Sequence, residues 1–270
     1  MKANFHTHTT FCDGRDTPEA MVRAALAKGF DALGFSSHSE MLRDPAAYVA
    51  EIRALAERYR GRIRILCGLE ADWPCPFDLS PYDYVIGSVH FLPSPSGARL
   101  AIDHSPEILA GILRDAFGGD GAALVRAYFA AEREMVAAGR FDIVGHPDLV
   151  RKFNATHPFF DEGAAWYREE LERTADVIAA SGKVVEVNTG AIARGWLDDA
   201  YPSPAFRALL RARGVRFVLS ADAHAAEALD GAFDRFASVD GLLDVSDVEG
   251  FYGQRIKNSF SPLTRGRTNF

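Results

Sequence analysis

The sequence has few cysteines, no long apolar run and no excess of positive charge, and each shortage excludes a class of protein. Cys12, Cys67 and Cys75 are odd in number and form no C-x-x-C pair, which argues against a disulfide framework and a cysteine-rich zinc site. No apolar stretch approaches the length of a bilayer crossing. The net charge of −7 argues against a nucleic-acid partner, because a phosphate backbone calls for a positive protein face. We therefore expect a soluble protein with neither a membrane nor a nucleic-acid partner.

The beginning and the length of the chain indicate a cytoplasmic protein of one domain. The N-terminus lacks the apolar core of a signal peptide, and cleavage of a leader would remove His6 and His8, the strongest ligand pair in the sequence. A chain of 270 residues has the usual size of a single α/β barrel. No internal repeat and no linker rich in Pro, Gly and Ser divides it, so we expect one domain over residues 1–270.

Seven short apolar runs alternate with helical patterns, and the runs end in polar residues. The runs are Asn4 to His8, Ala32 to His38, Ile63 to Glu70, Tyr84 to His90, Phe141 to His146, Lys183 to Asn188 and Arg216 to His224. Such alternation is typical both of an open doubly wound sheet and of a closed barrel. Only Lys183 to Asn188 lacks an obvious metal ligand. Because a barrel gathers the C-terminal ends of all its strands on one face, ligands after nearly every strand favour the barrel.

Nine side chains at these strand ends are candidate metal ligands. They are His6, His8, Asp13, His38, Glu70, His90, His146, Asp222 and His224. His6 and His8 are two residues apart, so an extended strand turns both imidazoles to one side, and Asp222 and His224 repeat the arrangement. Glu70 closes an apolar run, where a carboxylate is costly without a cation, and its two oxygens are able to bridge two metals. Imidazole and carboxylate ligands suit zinc, manganese or iron, and nine of them suffice for three divalent ions.

Each of these residues also has a simpler interpretation when taken alone. A histidine at the end of a strand is more often a hydrogen-bonded structural residue, and Asp13 is as readily explained by its Asp-Gly turn. The coincidence of nine such residues favours a metal site over independent structural roles. The two remaining histidines, His104 and His157, lie in polar or Pro-flanked segments and are expected to face solvent.

Three basic residues are candidate ligands for a phosphate group. Arg151 and Lys152 follow the run that ends at His146, and Arg194 lies in a glycine-flanked loop after the run without a metal ligand. A guanidinium on a barrel rim binds phosphate oxygens through paired hydrogen bonds. The alternative for each residue is a surface cation paired with a helix carboxylate. Residues 91–120, where the strand and helix alternation loosens, are the candidate for a lid over the site.

Taken together, these motifs resemble the PHP (polymerase and histidinol phosphatase) superfamily of metal-dependent phosphoesterases. The resemblance lies, in chain order, in His6-Thr7-His8 with Asp13-Gly14, Ser37-His38, Gly68-Leu69-Glu70, Gly87-Ser88-Val89-His90, Gly145-His146-Pro147 and Asp222-Ala223-His224. Within the superfamily, Ser88 to Leu92, Ile102-Asp103 and Gly145 to Phe153 resemble the histidinol-phosphatase branch.

The resemblance implies a distorted (β/α)7 barrel, similar to a TIM barrel, with three metal sites at the C-terminal ends of its strands. One site would use His6, His8, Glu70 and Asp222, the second Glu70, His90 and His146, and the third Asp13, His38 and His224. Many relatives place a histidine near Asp13, and this chain departs from them there. By position, Arg151, Lys152 and Arg194 would bind the substrate phosphate.

The resemblance also implies an enzyme that hydrolyses L-histidinol phosphate to L-histidinol and phosphate, a step toward histidine. In this hypothesis Asp222 or His224 passes a proton to the departing alkoxide, and Arg194 fixes the phosphate. Three alternatives stay open. They are a PHP phosphoesterase that acts on nucleotides or another small phosphate monoester, an exonuclease module, and a metal-binding protein without catalysis.

Overall fold

The chain forms a barrel of seven parallel strands in the computed structural model, which describes residues 2–94 and 97–243. In sheet order the strands are β1 (Ala3–Asn4), β2 (Ala32–Phe35), β3 (Arg64–Asp72), β4 (Tyr84–Ser88), β7 (Ile143–Val144), β8 (Val184–Asn188) and β9 (Phe217–Ser220). Thr7 pairs with Ala223 and so closes the ring between the first and last strands. Lower on the same seam, Phe217 pairs with Leu242 instead. The predicted distorted (β/α)7 barrel is confirmed, and its ring is irregular at this seam.

Helices follow most of the barrel strands and cover the outside of the sheet. They are α1 (Pro18–Ala27), α2 (Pro45–Arg58), α3 (Pro106–Phe117), α4 (Gly121–Ala138), α5 (Ala165–Ser181), α6 (Gly190–Ala193), α7 (Pro204–Ala212) and α8 (Phe233–Phe236). Four of them, α1, α2, α3 and α7, begin with a proline, and the side chain just before it accepts a hydrogen bond from a first-turn amide. The starts of these helices are therefore encoded locally.

The lower half of the barrel, toward the N-terminal ends of its strands, is filled by apolar side chains. They are Ala3, Phe5, Ala32, Leu66, Tyr84, Ile86, Ile143, Val184 and Val218. The hydroxyl of Tyr84 donates a hydrogen bond to the carbonyl of Phe5 (2.5 Å) and lies 3.1 Å from that of Phe35. Its ring fits because Gly68 has no side chain, since a Cβ there would lie 2.3 Å from Tyr84 Cζ. This packed floor supports the polar residues at the C-terminal ends of the strands.

Two of the barrel strands are shorter than the sequence predicts. The runs expected to end at His8 and His146 leave regular pairing early, so that β1 and β7 have two residues each. After β1 the pairing continues as an isolated bridge between Thr7 and Ala223, where the N–H of His8 donates to the Ala223 carbonyl (2.8 Å). His6 and His8 lie on either side of Thr7, so this extended segment turns both imidazoles to the same side.

The segment proposed as a lid folds as a hairpin followed by a helix. The hairpin strands β5 (Phe91–Pro93) and β6 (Arg99–Ala101) are antiparallel, and α3 follows them. Leu92, Ile102 and Leu109 of this segment are buried. Two of its residues, 95 and 96, lie outside the described residues, and closure over the site stays a prediction. Among the described helices, none combines the length and apolarity that a membrane span requires.

Candidate metal centre

All nine predicted ligands lie together at the C-terminal ends of the barrel strands. Six of the nine are buried, namely His6, His8, Glu70, His90, His146 and Asp222. Of the other three, His38 and His224 are half-buried and Asp13 is exposed, and all three lie toward the opening of the barrel. The cluster therefore contains six of the eight histidines of the chain, whereas His104 and His157 are exposed.

The carboxylate of Glu70 lies in the middle of the cluster and faces imidazoles with both oxygens. Oε2 lies 3.2 Å from His6 Nε2, 3.5 Å from His8 Nε2 and 2.9 Å from His38 Nδ1. Oε1 lies 3.3 Å from His90 Nε2 and 3.1 Å from His146 Nε2. Because its two oxygens face different imidazoles, Glu70 has the geometry of a bridging ligand.

Two aspartates complete the cluster, and local backbone geometry brings each into place. Asp13 Oδ2 lies 3.2 Å from His224 Nε2, and the turn that carries it packs so closely that a Cβ on Gly14 would lie 2.4 Å from the backbone of His8. Asp222 Oδ1 lies 3.2 Å from His8 Nε2. The φ of Asp222 is +47°, a left-handed conformation that is unfavourable for a residue with a Cβ and is found at functional sites.

The donor atoms of the cluster fit divalent metal ions. Ligand atoms of His6, His8 and Glu70 lie within 4.8 Å of one another, and so do those of Glu70, His90 and His146. A third such group contains His8, Asp13, His38 and His224. Three buried atoms, His6 Nε2, His8 Nε2 and Glu70 Oε2, have no hydrogen-bond partner among the described residues. Buried polar atoms in folded proteins rarely lack a partner, and imidazole and carboxylate together bind zinc and related metals.

Two buried groups of the cluster, Glu70 and His8, have strongly shifted pKa values. Burial acts to raise the pKa of Glu70, but the charges of His6, His38 and His90 hold it well below its usual range. Burial, with the positive charges of His224 and His38, lowers the pKa of His8 to about 3. His8 is thus neutral, the form in which an imidazole binds a metal, and Glu70 is ionised.

Two further carboxylates lie behind the histidines, and the sequence analysis did not identify them. Asp72 Oδ1 makes a short contact with His90 Nδ1, and Glu186 Oε2 lies 2.8 Å from His6 Nδ1. Glu186 lies in the run Lys183 to Asn188, which holds no predicted metal ligand but contributes this carboxylate to the surroundings of the cluster. Its position alternates with Val185 and Val187, and a carboxylate at an inward position of a barrel strand is the signal that would have revealed it.

Arg194 reaches the cluster from the loop after β8. Its Nη2 donates to Asp222 Oδ2 (2.7 Å), and its Nη1 lies 3.1 Å from the Asp222 carbonyl and 3.2 Å from His224 Nδ1. Gly190 leaves room for this side chain, since a Cβ there would lie 2.7 Å from Arg194 Nη2. The Arg194 side chain remains one-third exposed, at 33%. Arg194 is therefore hydrogen-bonded to a candidate metal ligand, Asp222, and is still accessible from the opening of the barrel.

Arg151 and Lys152 are paired with carboxylates outside the cluster. Lys152 Nζ donates to the carbonyl of Asp103 (2.7 Å) and to its Oδ2 (3.2 Å). Asp103 lies near the cluster, since the N–H of the preceding Ile102 donates to the His90 carbonyl (3.0 Å). Burial acts to raise the pKa of Asp103, but the charges of His90 and Lys152 lower it. Arg151 Nε donates to Glu162 Oε2 (3.0 Å), while its buried Nη1 has no partner among the residues described.

Comparison with known sequences identifies relatives over nearly the whole chain. The family described as PHP domain matches residues 4–190. A protein of Deinococcus radiodurans named a probable histidinol-phosphatase is 32% identical over 268 residues, which cover 91% of this chain and 93% of that protein. The histidinol-phosphatase of Bacillus subtilis is 27% identical over 267 residues, which cover 87% of this chain and 98% of that protein.

Comparison with solved structures supports the same fold. A Listeria monocytogenes protein of known crystal structure has a TM-score of 0.75 at 20% identity, covering 87% of this chain and 100% of that chain. The histidinol phosphate phosphatase of Lactococcus lactis, crystallised with zinc, L-histidinol and phosphate, has a TM-score of 0.61 at 20% identity. That comparison covers 97% of this chain and 94% of the other.

Proposed function

The chain belongs to the PHP family, and on that premise we propose that it hydrolyses L-histidinol phosphate to L-histidinol and inorganic phosphate, a step toward histidine. The observation that carries the proposal is the convergence of six imidazoles and three carboxylates around Glu70. Relatives that cover most of the chain are named for this activity. The Lactococcus lactis structure of the same fold contains L-histidinol and phosphate.

The nine clustered side chains are proposed to hold three divalent ions. The first would use His6, His8, Glu70 and Asp222, the second Glu70, His90 and His146, and the third Asp13, His38 and His224. The donor set suits zinc, manganese or iron, and the zinc of the Lactococcus lactis structure favours zinc. Bound ions would lower the pKa of water toward neutrality and offset the charge of the phosphoryl group.

Arg194 and His224 are placed to act on the phosphate ester. A guanidinium has five N–H donors, and the contacts with Asp222 and His224 leave others for phosphoryl oxygens. As water oxygen bonds to phosphorus, the bond from phosphorus to the alkoxide oxygen breaks, and that oxygen needs a proton. The His224 side chain is 30% exposed and that of Asp222 only 9%, so His224 is the more accessible of the two; it would give the proton of Nδ1, which lies 3.0 Å from the Asp222 carbonyl, while Nε2 would serve the metal.

The substrate carries an ammonium and an imidazole besides its phosphate, and Asp103 is proposed to receive one of them. Its side chain is 25% exposed, and the nearby positive charges of His90 and Lys152 keep it ionised. Lys152 has three donors and directs two contacts at Asp103, which leaves one for a phosphate oxygen. A phosphate-binding role for Arg151 stays a prediction from its position, because its side chain is only 11% exposed and its Nε is paired with Glu162.

Release of inorganic phosphate from a substrate panel tests this proposal. The protein, supplied with zinc or manganese, is assayed on L-histidinol phosphate, nucleoside monophosphates and sugar phosphates. We expect kcat/KM for L-histidinol phosphate to exceed the others by about 100-fold or more, as for a site with specific polar contacts. Equal slow rates on every ester would contradict the substrate, and no turnover with any metal would contradict the phosphatase itself. An Asp103→Asn variant with unchanged selectivity would remove Asp103 from the proposed subsite.

A further inference from the structure

Glu186 is a fully buried carboxylate in the barrel strand that carries no candidate metal ligand. It lies in the middle of β8, between two valines. A carboxylate in such a place is unfavourable unless hydrogen-bond donors compensate for the lost water. The donors that surround Glu186 therefore indicate its role.

Four donors surround the carboxylate, two for each oxygen. Oε2 lies 2.8 Å from His6 Nδ1 and accepts a hydrogen bond of 2.6 Å from Ser220 Oγ. Oε1 accepts hydrogen bonds from the backbone N–H of His146 (2.7 Å) and from Asn188 Nδ2 (2.9 Å). Glu186 thus connects two candidate ligands from different strands, His6 through its ring and His146 through its backbone.

The contact with His6 determines which ring nitrogen faces the metal centre. A carboxylate only accepts hydrogen bonds, so Nδ1 of His6 carries a proton toward Glu186, and a cation bound by this ring would take the lone pair of Nε2. His6 Nε2 lies 3.2 Å from Glu70 Oε2 and has no hydrogen-bond partner in the described part of the chain. The ring is therefore held in the tautomer that binds a cation.

We infer that Glu186 is a positioning residue of the metal centre, which fixes the tautomer and orientation of His6 and the backbone of His146 without binding a metal itself. Its Oε2 faces Nδ1, on the side of the ring away from the cluster. Among residues 2–94 and 97–243, it belongs to none of the groups whose ligand atoms lie together. The inference rests on the proposed metal centre and not on the identity of the substrate.

Glu186→Gln is the sharpest variant because glutamine keeps the shape of the side chain but has one oxygen and one NH2 group. In one orientation the NH2 group of the glutamine faces His6 and Ser220. His6 must then accept a hydrogen bond at Nδ1, and its own proton moves to Nε2, which faces the metal centre. In the other orientation the NH2 group faces the N–H of His146 and the amide of Asn188, which are donors themselves. Either orientation disturbs one candidate ligand.

Zinc affinity is the quantity to measure, by titrating metal-free protein with Zn²⁺ in competition with a chromophoric chelator. We expect the dissociation constant of Glu186→Gln to rise by about 10–100-fold, the usual effect of losing the partner of a ligand histidine. The His6 imidazole signals in a ¹H–¹⁵N spectrum of the zinc-loaded protein should change as well. Ser220→Ala is the matched control, because it removes a donor from the same oxygen and leaves the His6 contact intact. Its zinc affinity should stay near that of the parent.

The structural alternative predicts a different result. If Glu186 only stabilises the barrel, Glu186→Gln unfolds at a lower temperature but binds zinc as tightly as the parent, and that outcome overturns the inference. Should Glu186→Gln fail to fold, the same titration of Glu186→Asp, which retracts the carboxylate from His6, decides in the same way. A parent protein that binds no zinc overturns both this role and the proposed centre. Weakened zinc binding in a protein that hydrolyses no L-histidinol phosphate supports the role of Glu186 and refutes only the substrate.

Discussion

Replacing Glu70 with glutamine removes the one negative charge that faces both sides of the metal centre. The carboxylate is fully buried and has five imidazoles within 3.5 Å. Removing one partner of a buried charge pair costs about 3–5 kcal/mol, and about 1.4 kcal/mol is a factor of ten in a dissociation constant. We therefore expect the dissociation constants for divalent metal to rise by roughly two to four orders of magnitude, and turnover to fall with the metal content.

The loss should affect two ions at once, because Oε1 and Oε2 of Glu70 face different imidazoles. Ser88→Ala is a matched control that affects one oxygen only. Ser88 Oγ donates a hydrogen bond of 2.7 Å to Glu70 Oε1. Removing this hydroxyl keeps the negative charge of Glu70 and takes support only from the oxygen that faces His90 and His146. We expect this control to weaken metal binding by about tenfold, as for a residue that supports a ligand.

Metal content after dialysis, metal titration of the metal-free protein and initial rates measure the effect of Glu70→Gln. A Glu70→Gln protein with full metal content and an unchanged rate would refute the bridging role. The same variant with losses no greater than those of Ser88→Ala would show that the carboxylate serves a single ion.

Two other predictions concern the arginine at the opening and a buried carboxylate in α4. Arg194→Ala should raise KM for the phosphate ester by roughly 10–100-fold, the value of a charge-assisted hydrogen bond, and should weaken metal binding by no more than about tenfold, since Arg194 also supports Asp222. Unaltered kinetics would leave Arg194 as a structural partner of Asp222. Burial raises the pKa of Glu132 well above its usual value of 4.5. Above pH 4.5 the folded state therefore keeps a proton that the unfolded state loses. The free energy of unfolding then falls by up to about 1.4 kcal/mol for each pH unit above 4.5. Urea unfolding of Glu132→Gln between about pH 5 and 8 should lack this decline, and equal slopes for the variant and the parent would contradict the assignment.

The candidate ligands were predictable because each lies at or just after the polar end of an apolar run that predicts a strand. Local sequence identifies the run and its polar end, and the architecture of a parallel barrel supplies the remaining information by bringing strand ends to one face. His6 and His146 illustrate this, since 140 positions separate them in the sequence and Glu186 contacts both in the structure. The lengths of β1 and β7 were less predictable, because an apolar run does not show where the chain leaves the sheet.

The residues that support the ligands were not predictable in the same way. Period-two alternation shows that Glu70 and Asp72 share a face of β3. The alternation does not show that Glu70 reaches the cluster whereas Asp72 contacts Nδ1 of His90, the ring nitrogen away from the cluster. This difference depends on how far each residue lies along the barrel axis. Asp103 depends on a pairing with Lys152, 49 positions later, that no local pattern encodes.

The charges around the centre match a phosphate monoester better than a diester. Five carboxylates face the cluster or lie behind its histidines, and they are Asp13, Glu70, Asp72, Glu186 and Asp222. The three divalent ions that we propose, with the guanidinium of Arg194, exceed these carboxylates by two positive charges. Arg151 and Lys152 add little to this excess, because Glu162 and Asp103 are paired with them. A phosphate monoester carries about two negative charges at neutral pH, whereas each diester of a nucleic-acid backbone carries about one. With the proposed three ions, this balance favours a phosphate monoester over a nucleic-acid backbone as the substrate.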